Sequence, residues 1–294
     1  MSRPTDHLIG INQLLAYLDL EKIEENHYRG FSPQVGWQRV FGGHVIAQAL
    51  VAAQRTVVED RLVHSLHSYF LRPGDPTTPI LYEVDRIRDG SSFTTRRVVA
   101  IQHGKAIFSI SASFQISEPG LEHQSAMPEV PAPENLPNVS ELFKDMFRDA
   151  PPHIVNYWLR DRPVEIRPVM LDHYMSGKKL DPVQHVWVRA NGTVPESQSL
   201  QSAILAYLSD MTLLETSLLP HGVSVFSPNM QVASLDHAMW FHRPCRMDDW
   251  MLYTQDSPSA GGARGLSRGS LYDRQGRLIA TMAQEGLIRP RDVA

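Results

Sequence analysis

The sequence contains a single cysteine, Cys245, so no disulfide bond can form within the chain. That scarcity is typical of a protein that works in a reducing compartment. An excess of one charge is also missing, because 28 Lys and Arg residues face 32 Asp and Glu residues, a net charge of −4 over 294 residues. The chain therefore lacks the basic surface that attracts nucleic acid or anionic lipid, and we expect neither as a partner.

Long hydrophobic runs are absent as well. The most apolar stretch, Val45 to Ala53, is short and contains Gln48, so nothing reaches the length of a membrane span. The first 19 residues lack the cationic start and apolar centre of a signal peptide. With 42% hydrophobic and 20% charged residues, the composition is that of a globular protein. We therefore expect a soluble, cytoplasmic protein of about two domains.

Proline is abundant and unevenly distributed. Nine of the 21 prolines lie between Ser117 and Pro168. Because proline continues neither a helix nor a central strand, this segment is predicted to be a linker, with one short helix at Ser140–Phe147. The sequence then divides into an N-terminal unit (residues 1–116), the linker (117–168) and a C-terminal unit (169–294).

The two units contain a weak internal repeat. At one constant offset, Ser68–Pro73 aligns with Met239–Pro244, and Tyr82 aligns with Tyr253. The identities are few, but they occur in the same order in both halves. This order predicts two copies of one fold.

Each copy has a long apolar helix followed by a run of strands. The helices are predicted around Val45–Ala53 and Ile204–Leu213, and we expect Gly42 and Gly43 to let the chain turn into the first. An amphipathic helix from Leu8 to Leu18 precedes them. Strands are predicted at 28–31, 62–70, 80–89, 92–103, 105–116 and 185–189, with hairpins at His103-Gly104 and 273–276. One helix and a long antiparallel sheet bury their apolar faces best when the sheet wraps the helix. The predicted fold is thus α+β, a double hotdog made of two such units in tandem.

One apparent catalytic motif conflicts with this secondary structure. Gly265-Leu266-Ser267-Arg268-Gly269 matches the nucleophile elbow of serine hydrolases, which requires a strand, a sharp turn and a helix. A strand-like run follows here instead, and no histidine comes after His242. We interpret the match as accidental, and a Ser267-dependent hydrolase remains an alternative that substitution of Ser267 would test.

Metal and cofactor sites are not indicated. His64 and His67 are expected on opposite faces of a strand, and no third ligand lies at zinc spacing. Asp236 and His237 are adjacent on a strand, so their side chains are also expected on opposite faces and not around one metal ion. Cys245 lacks a catalytic context, so we expect an inert thiol. No glycine-rich phosphate loop is present.

Three polar residues interrupt apolar segments and are candidates for a site. Asp210 ends the apolar stretch that begins at Ile204, and partial burial there would raise its pKa and suit it to general-base chemistry. Ser234 and Gln284 interrupt apolar strands. A buried hydroxyl or amide must find a hydrogen-bond partner, but spacing alone does not show that the three side chains meet.

Several long stretches resemble the acyl-CoA thioesterase II family, the TesB-type double-hotdog thioesterases. The resemblance extends from about Leu14 to Arg289. It is carried by Val40–Val45, Val63–Asp75, Ala206–Asp210, Leu235–Pro244 and Gln284–Gly286.

This resemblance implies an Asp/Thr/Gln triad that orients a water molecule for attack on a thioester carbonyl. Asp210 matches the Asp and Gln284 the Gln, whereas Ser234 replaces the Thr, keeping the hydroxyl and losing the methyl group. The implied activity is hydrolysis of medium- to long-chain acyl-CoA without a cofactor. The first half is then expected to be a degenerate repeat that lines an acyl tunnel, and the chain to be a homodimer or homotetramer.

Two further classes stay open at the level of sequence. A hotdog enoyl-CoA hydratase would have an Asp/His pair across one groove and would form product without free thiol. A non-catalytic acyl-CoA-binding protein would bind without turnover.

Overall fold

The computed structural model describes residues 9–34, 38–138, 162–171, 177–225 and 227–291. The predicted helix at Ser140–Phe147 lies outside them. The first half contains helices α1 (Gly10–Leu18) and α2 (Gly42–Gln54), short strands β1 (Glu21–Glu24) and β2 (His27–Gly30), and long strands β3 (Arg61–Phe70), β4 (Ile80–Asp89), β5 (Phe93–Gln102) and β6 (Lys105–Ile116).

The second half follows a similar order, with a 3-10 helix and one more strand after its α-helix. It contains strands β7 (Val164–Pro168) and β8 (Val183–Ala190), helix α3 (Gln198–Ser209), a 3-10 helix (Leu214–His221), and strands β9 (Met230–Ser234), β10 (Asp236–Phe241), β11 (Met251–Gly261), β12 (Arg264–Asp273) and β13 (Leu278–Pro290). Another 3-10 helix spans Pro133–Asn135 between the halves.

The strands of both halves form one antiparallel sheet. Its order is β1-β2-β4-β5-β6-β3-β10-β13-β12-β11-β8-β7, and β9 also pairs with β13. The halves join where β3 pairs with β10, from Asp236 opposite Tyr69 to Trp240 opposite Ser65. The same face of the sheet therefore continues from one half into the other.

The sheet wraps two helices that pack against each other. Every residue of α2 from Gly43 to Ala53 is buried, and eight of the twelve residues of α3 are buried. Gln54 at the end of α2 donates a hydrogen bond to the carbonyl of Ser199 in α3 (3.0 Å). This burial explains why neither helix contains a charged residue. The predicted α+β double hotdog is confirmed.

The internal repeat has a structural counterpart at the predicted offset. Strand β5 starts at Phe93 and β12 at Arg264, and this is the offset that separates Tyr82 from Tyr253. The predicted hairpin at His103-Gly104 is also present. Both residues have positive φ values of 50° and 69°, as a two-residue turn of type I′ requires.

Two expectations from the sequence need correction. Residues Val164–Pro168, at the end of the predicted linker, form β7 and pair with β8. This strand lies at the edge of the sheet, where proline is tolerated. The histidines of β3 do not face opposite sides, because a register shift between Val63 and Ser65 lets His64 contact Ser113, and His67 contact Trp240, on the outer face.

Within the part of the chain that the structure describes, no helix combines the length and apolar character needed to cross a membrane.

Candidate active site

Asp210 lies at the C-terminal end of α3, next to the junction between the two halves. It follows Ser209, the last helical residue, and its carboxyl group is partly buried. Because a helix C-terminus is the negative end of its dipole, this end does not stabilise the carboxylate. Its stabilising contacts come from other elements.

Two side chains from the sheet reach one oxygen of this carboxyl group. Gln284 of β13 donates from Nε2 to Asp210 Oδ1 (3.0 Å), and the Ser234 hydroxyl lies 3.5 Å from the same oxygen. Gln284 Nε2 also donates to Ser234 Oγ (2.5 Å). Gln284 is fully buried, and Ser234 is the last residue of β9. The structure thus brings together all three residues singled out in the sequence.

The first half supplies the contact to the other carboxylate oxygen. The backbone N–H of Gly43 donates to Asp210 Oδ2 (2.8 Å). This N–H belongs to the first turn of α2, where amides lack partners within the helix and the helix dipole is positive. The expectation that the first half has only a structural and tunnel-lining role is therefore incomplete.

Gly42 and Gly43 allow the start of α2 to lie close to the end of α3. A Cβ atom on Gly42 would lie 2.6 Å from Asp210 Oδ2, and one on Gly43 would collide with the backbone carbonyl of Tyr207 in α3. Both glycines lie within α2, and neither is among the positive-φ residues, so the expectation that they precede the helix and let the chain turn into it is wrong. Their missing side chains let α2 approach the end of α3.

A buried histidine lies on the far side of the Gln284 amide. His237 of β10 is fully buried, with Nδ1 3.1 Å from Gln284 Oε1 and Nε2 2.9 Å from the Ser209 hydroxyl. The Tyr253 hydroxyl donates to the carbonyl of Ser209 (2.8 Å). The network therefore continues from the end of α3 into the core.

Burial shifts the pKa values of both titratable groups toward their neutral forms. It raises the pKa of Asp210 to about 6, and the bonds from Gln284, Gly43 and Ser234 offset part of that rise. Burial also lowers the pKa of His237 to about 4. At neutral pH, Asp210 is mostly ionised but more basic than an exposed aspartate, and His237 is uncharged. Such a carboxylate can accept a proton from a bound water molecule.

The corresponding place in the first half lacks this chemistry. Arg55 caps α2 where Asp210 caps α3, and Arg96 occupies the position that the repeat offset makes equivalent to Ser267. Arg96 is 1% exposed, and its guanidinium donates to the Thr56 hydroxyl (2.8 Å) and carbonyl (3.0 Å) beyond the end of α2. In the first half, a buried cation therefore caps the helix end that carries the carboxylate in the second half.

The other sequence candidates have no role in this network. Gly265–Gly269 lies within β12, and another strand follows, so Ser267 is not on a nucleophile elbow. Cys245 is buried, which raises the pKa of its thiol to about 12. Among the described residues, no group of three or more His, Cys, Asp and Glu side chains is arranged to hold a metal ion.

Sequence reasoning missed Gly43, Ser209 and His237. Gly43 contributes only a backbone N–H, which no residue type reveals. His237 occupies an inward position two residues before Met239, so strand alternation could have marked it as a buried polar group. In the sequence it stood out only as a possible metal ligand beside Asp236.

Comparison with known proteins shows the family to which the chain is similar. The family described as "Acyl-CoA thioesterase" matches residues 157–287, and "Acyl-CoA thioesterase N-terminal domain" matches residues 32–115. Acyl-CoA thioesterase 2 of Haemophilus influenzae is 42% identical over 95% of this chain and 98% of its own length.

Solved structures show the same similarity. An acyl-CoA thioesterase II, TesB2, from Mycobacterium marinum superposes with a TM-score of 0.78 at 42% identity, covering 96% of this chain and 98% of its own. A hot dog fold protein from Alicyclobacillus acidocaldarius, at 17% identity, has a TM-score of 0.74 over 98% of this chain and 99% of its own, which supports the fold alone.

Fold and site together define a double-hotdog protein with a carboxylate, a hydroxyl and an amide at the meeting point of its two helices. The chain belongs to the acyl-CoA thioesterase family, as the resemblance noted in the sequence implied.

Proposed function

We propose that this protein hydrolyses acyl-CoA thioesters to free fatty acid and coenzyme A. The observation that carries the proposal is the contact of Asp210 with Gln284, Ser234 and the Gly43 N–H in a chain of the acyl-CoA thioesterase family. The names of the relatives agree with this substrate class.

In the proposed reaction, Asp210 accepts a proton from a water molecule that Ser234 and Gln284 help to orient. The water oxygen attacks the thioester carbonyl carbon, and the carbonyl oxygen takes up the negative charge. We expect backbone N–H groups, or the Gln284 amide once it releases one of its present contacts, to stabilise that charge. The carbon–sulfur bond then breaks, and the thiolate leaves without prior protonation, because a thiol with a pKa of about 8.5 is a good leaving group.

The decisive experiment compares Asp210→Asn with the wild type by following thiol release from palmitoyl-CoA. The amide cannot act as a base, so we expect kcat to fall by ~100-fold or more, at the lower end of general-base effects. Asp256→Asn is the matched control, because Asp256 lies on the outer face of β11 and pairs with Arg268. A folded Asp210→Asn protein with the wild-type kcat would refute the assignment.

Two companion variants divide the roles within the site. Ser234→Ala and Gln284→Ala should each lower kcat without unfolding the protein, because Asp210 keeps its Gly43 contact in both. Ser267→Ala should keep full activity, and its inactivation would favour a serine hydrolase instead.

The alternatives kept open by the sequence are less favoured. A hydratase would need an Asp/His pair facing one groove, whereas His237 contacts Gln284 and Ser209 on the far side of the amide. Incubation with an enoyl-CoA, with thiol and hydration product measured separately, discriminates between the two reactions. Binding of acyl-CoA without release of thiol would identify a non-catalytic protein.

The preference for medium to long acyl chains is also a proposal. It rests on the family resemblance, and an acyl chain bound between the sheet and the two helices would contact the aliphatic and aromatic side chains of the core. A series from butyryl-CoA to stearoyl-CoA tests it, and the fastest kcat/KM on the shortest substrates would contradict it.

We further propose that the chain consists of two structural units. We also propose that it is cytoplasmic and forms a homodimer or homotetramer. The pairing of β7 with β8 supports a second unit that begins at Val164 rather than after Pro168. The single buried cysteine suits a reducing compartment. Analytical ultracentrifugation measures the assembly state, and a monomer at micromolar concentration would contradict this part of the proposal.

A further inference from the structure

The inner face of β10 holds a polar contact that the proposed reaction does not use directly. Antiparallel pairing places Ala238 opposite Ala283, and hence His237 opposite Gln284. The backbone of His237 is held as well, because its carbonyl accepts a hydrogen bond from the Ser68 hydroxyl of β3 (2.8 Å). His237 is thus fixed against the residue that contacts both Asp210 and Ser234.

The hydrogen-bond inventory of the Gln284 amide determines which nitrogen of His237 carries the proton. Gln284 Nε2 donates to Asp210 and Ser234, so Oε1 faces His237 and can only accept. His237 Nδ1 must therefore carry the proton, and Nε2 must accept a proton from the Ser209 hydroxyl. The Ser209 hydroxyl also lies 2.9 Å from the Ala206 carbonyl, but its single proton is needed by Nε2.

The Gln284 amide would occupy the same space if its oxygen and nitrogen were exchanged, but its hydrogen bonds would differ. A flipped Gln284 would place Oε1 against the Asp210 carboxylate, where two acceptors repel each other, and its NH2 group against His237. Only a histidine with a bare Nδ1 would tolerate that arrangement. A proton on Nδ1 of His237, with Nε2 accepting from Ser209, therefore stabilises the first of these two orientations of Gln284.

We propose that His237, held by Ser209, is a positioning residue that keeps the Gln284 amide turned with its N–H groups toward Asp210 and Ser234. This inference rests on the proposed function. It adds a buried relay from the end of α3, through the Ser209 hydroxyl and the imidazole, to the amide. The role is exerted through Gln284, since His237 itself contacts neither Asp210 nor Ser234 among the hydrogen bonds of the described residues.

If the Gln284 amide lost its orientation, the pKa of Asp210 should change, whereas a general packing defect would leave that pKa unchanged. The bond from Gln284 favours the ionised form of Asp210, so its loss should raise the pKa of that carboxyl group further. The acid limb of the kcat/KM profile, expected near pH 6, should move to higher pH. Four other titratable residues near β10 lie on the outer face of the sheet: His67, Tyr69, Asp236 and Glu285. Tyr253 is on the inner side, and burial raises the pKa of its hydroxyl so that it stays protonated.

The activity test compares two substitutions of His237, of which only one keeps an N–H donor for Gln284 Oε1. His237→Leu removes the donor, whereas His237→Asn keeps an N–H two bonds from Cβ, at the distance of Nδ1. We expect His237→Leu to lower kcat by about 10- to 100-fold, with little change in KM, and to shift the acid limb upward. His237→Asn should recover most of the rate and the wild-type limb. His67→Leu is the control, because His67 lies on the outer face opposite Ala238.

A spectroscopic test does not depend on activity. Imidazole 15N NMR of the histidine-labelled wild type distinguishes a protonated Nδ1 from a protonated Nε2, and the signals lost in His237→Asn identify the residue. A protonated Nδ1 is the expected result. A protonated Nε2 would overturn the proposal, even if the Leu variant failed to fold.

The outcomes separate this inference from the proposed function. If Asp210→Asn keeps full activity, the proposed function fails, whatever the His237 variants do. If Asp210→Asn is inactive and His237→Leu has the wild-type rate and pH profile, only the positioning role fails. A loss of rate in His237→Leu that moves no acid limb and is not rescued by Asn would mean a structural role and would equally overturn it.

Discussion

The raised pKa of Asp210 should appear in the stability of the protein as well as in its activity. Folding raises this pKa from 3.8 to about 6 because the carboxyl group is desolvated. The ionised form is therefore disfavoured in the folded state, so the contribution of this group to the free energy of unfolding is highest at acid pH. That contribution should decrease as the pH rises from the unfolded pKa through the folded one, and it should be constant above that.

The magnitude follows from the two pKa values. One pKa unit corresponds to 1.36 kcal/mol, and integrating over both ionisations between pH 4.5 and pH 8 gives a loss of about 2 kcal/mol. Asp210→Asn removes this titration, since its amide does not ionise. The free energy of unfolding of the wild type, minus that of the variant, should therefore fall by the same amount over this range. Changes in hydrogen bonding to Gly43 add a constant that does not depend on pH.

Urea unfolding followed by tryptophan fluorescence at several pH values measures this difference. Taking the difference cancels the contribution of Glu215, a second buried acid whose pKa is raised to about 7 and which is present in both proteins. A difference that stays flat from pH 4.5 to pH 8, or that rises with pH, would refute the assignment of a raised pKa to Asp210.

Two further substitutions test the contacts around the helix ends. Gly42→Ala places a methyl group 2.6 Å from Asp210 Oδ2 and should lower kcat by ~10-fold or more while the protein stays folded. Gly120→Ala, where an added Cβ meets nothing within 4 Å, is its control, and equal rates for the two variants would contradict the close-approach argument. Arg96→Leu leaves the Thr56 hydroxyl and carbonyl that follow α2 without their donor and should reduce the free energy of unfolding by roughly 1 to 3 kcal/mol. The same measurement on Arg97→Leu, which removes an exposed ion pair with Asp85, should show under about 1 kcal/mol, and a similar loss in both would count against a special role for Arg96.

The architecture could be predicted from the sequence because side-chain patterns indicate the strands, helices and turns. Alternation along β5 and the hairpin residues His103 and Gly104 indicate strand and turn chemistry directly. The repeat offset follows from matched positions such as Tyr82 and Tyr253. The bulge at His64 was not accessible, because nothing in the residue types around it signals an irregular register.

The site was only partly accessible. Asp210, Ser234 and Gln284 stood out as polar residues in apolar surroundings, and the family resemblance grouped them. The bond from Gly43 could not be predicted, since it depends on how closely α2 approaches α3 and uses a backbone atom. The contact between His237 and Ser209 depends on long-range pairing that brings β10 beneath the end of α3. Contacts of this kind become visible only when the register of the whole sheet is known.

The pairing of β3 with β10 also bears on how the molecule assembles. Two chains that exchanged their second halves would re-form the same strand pairing and the same contact between Gly43 and Asp210, as a swapped dimer with both sites intact. Tethering both halves in one polypeptide raises the effective concentration of each half at its own partner. The closed arrangement is therefore favoured over exchange at low protein concentration, and the geometry around Asp210 forms by an intramolecular step.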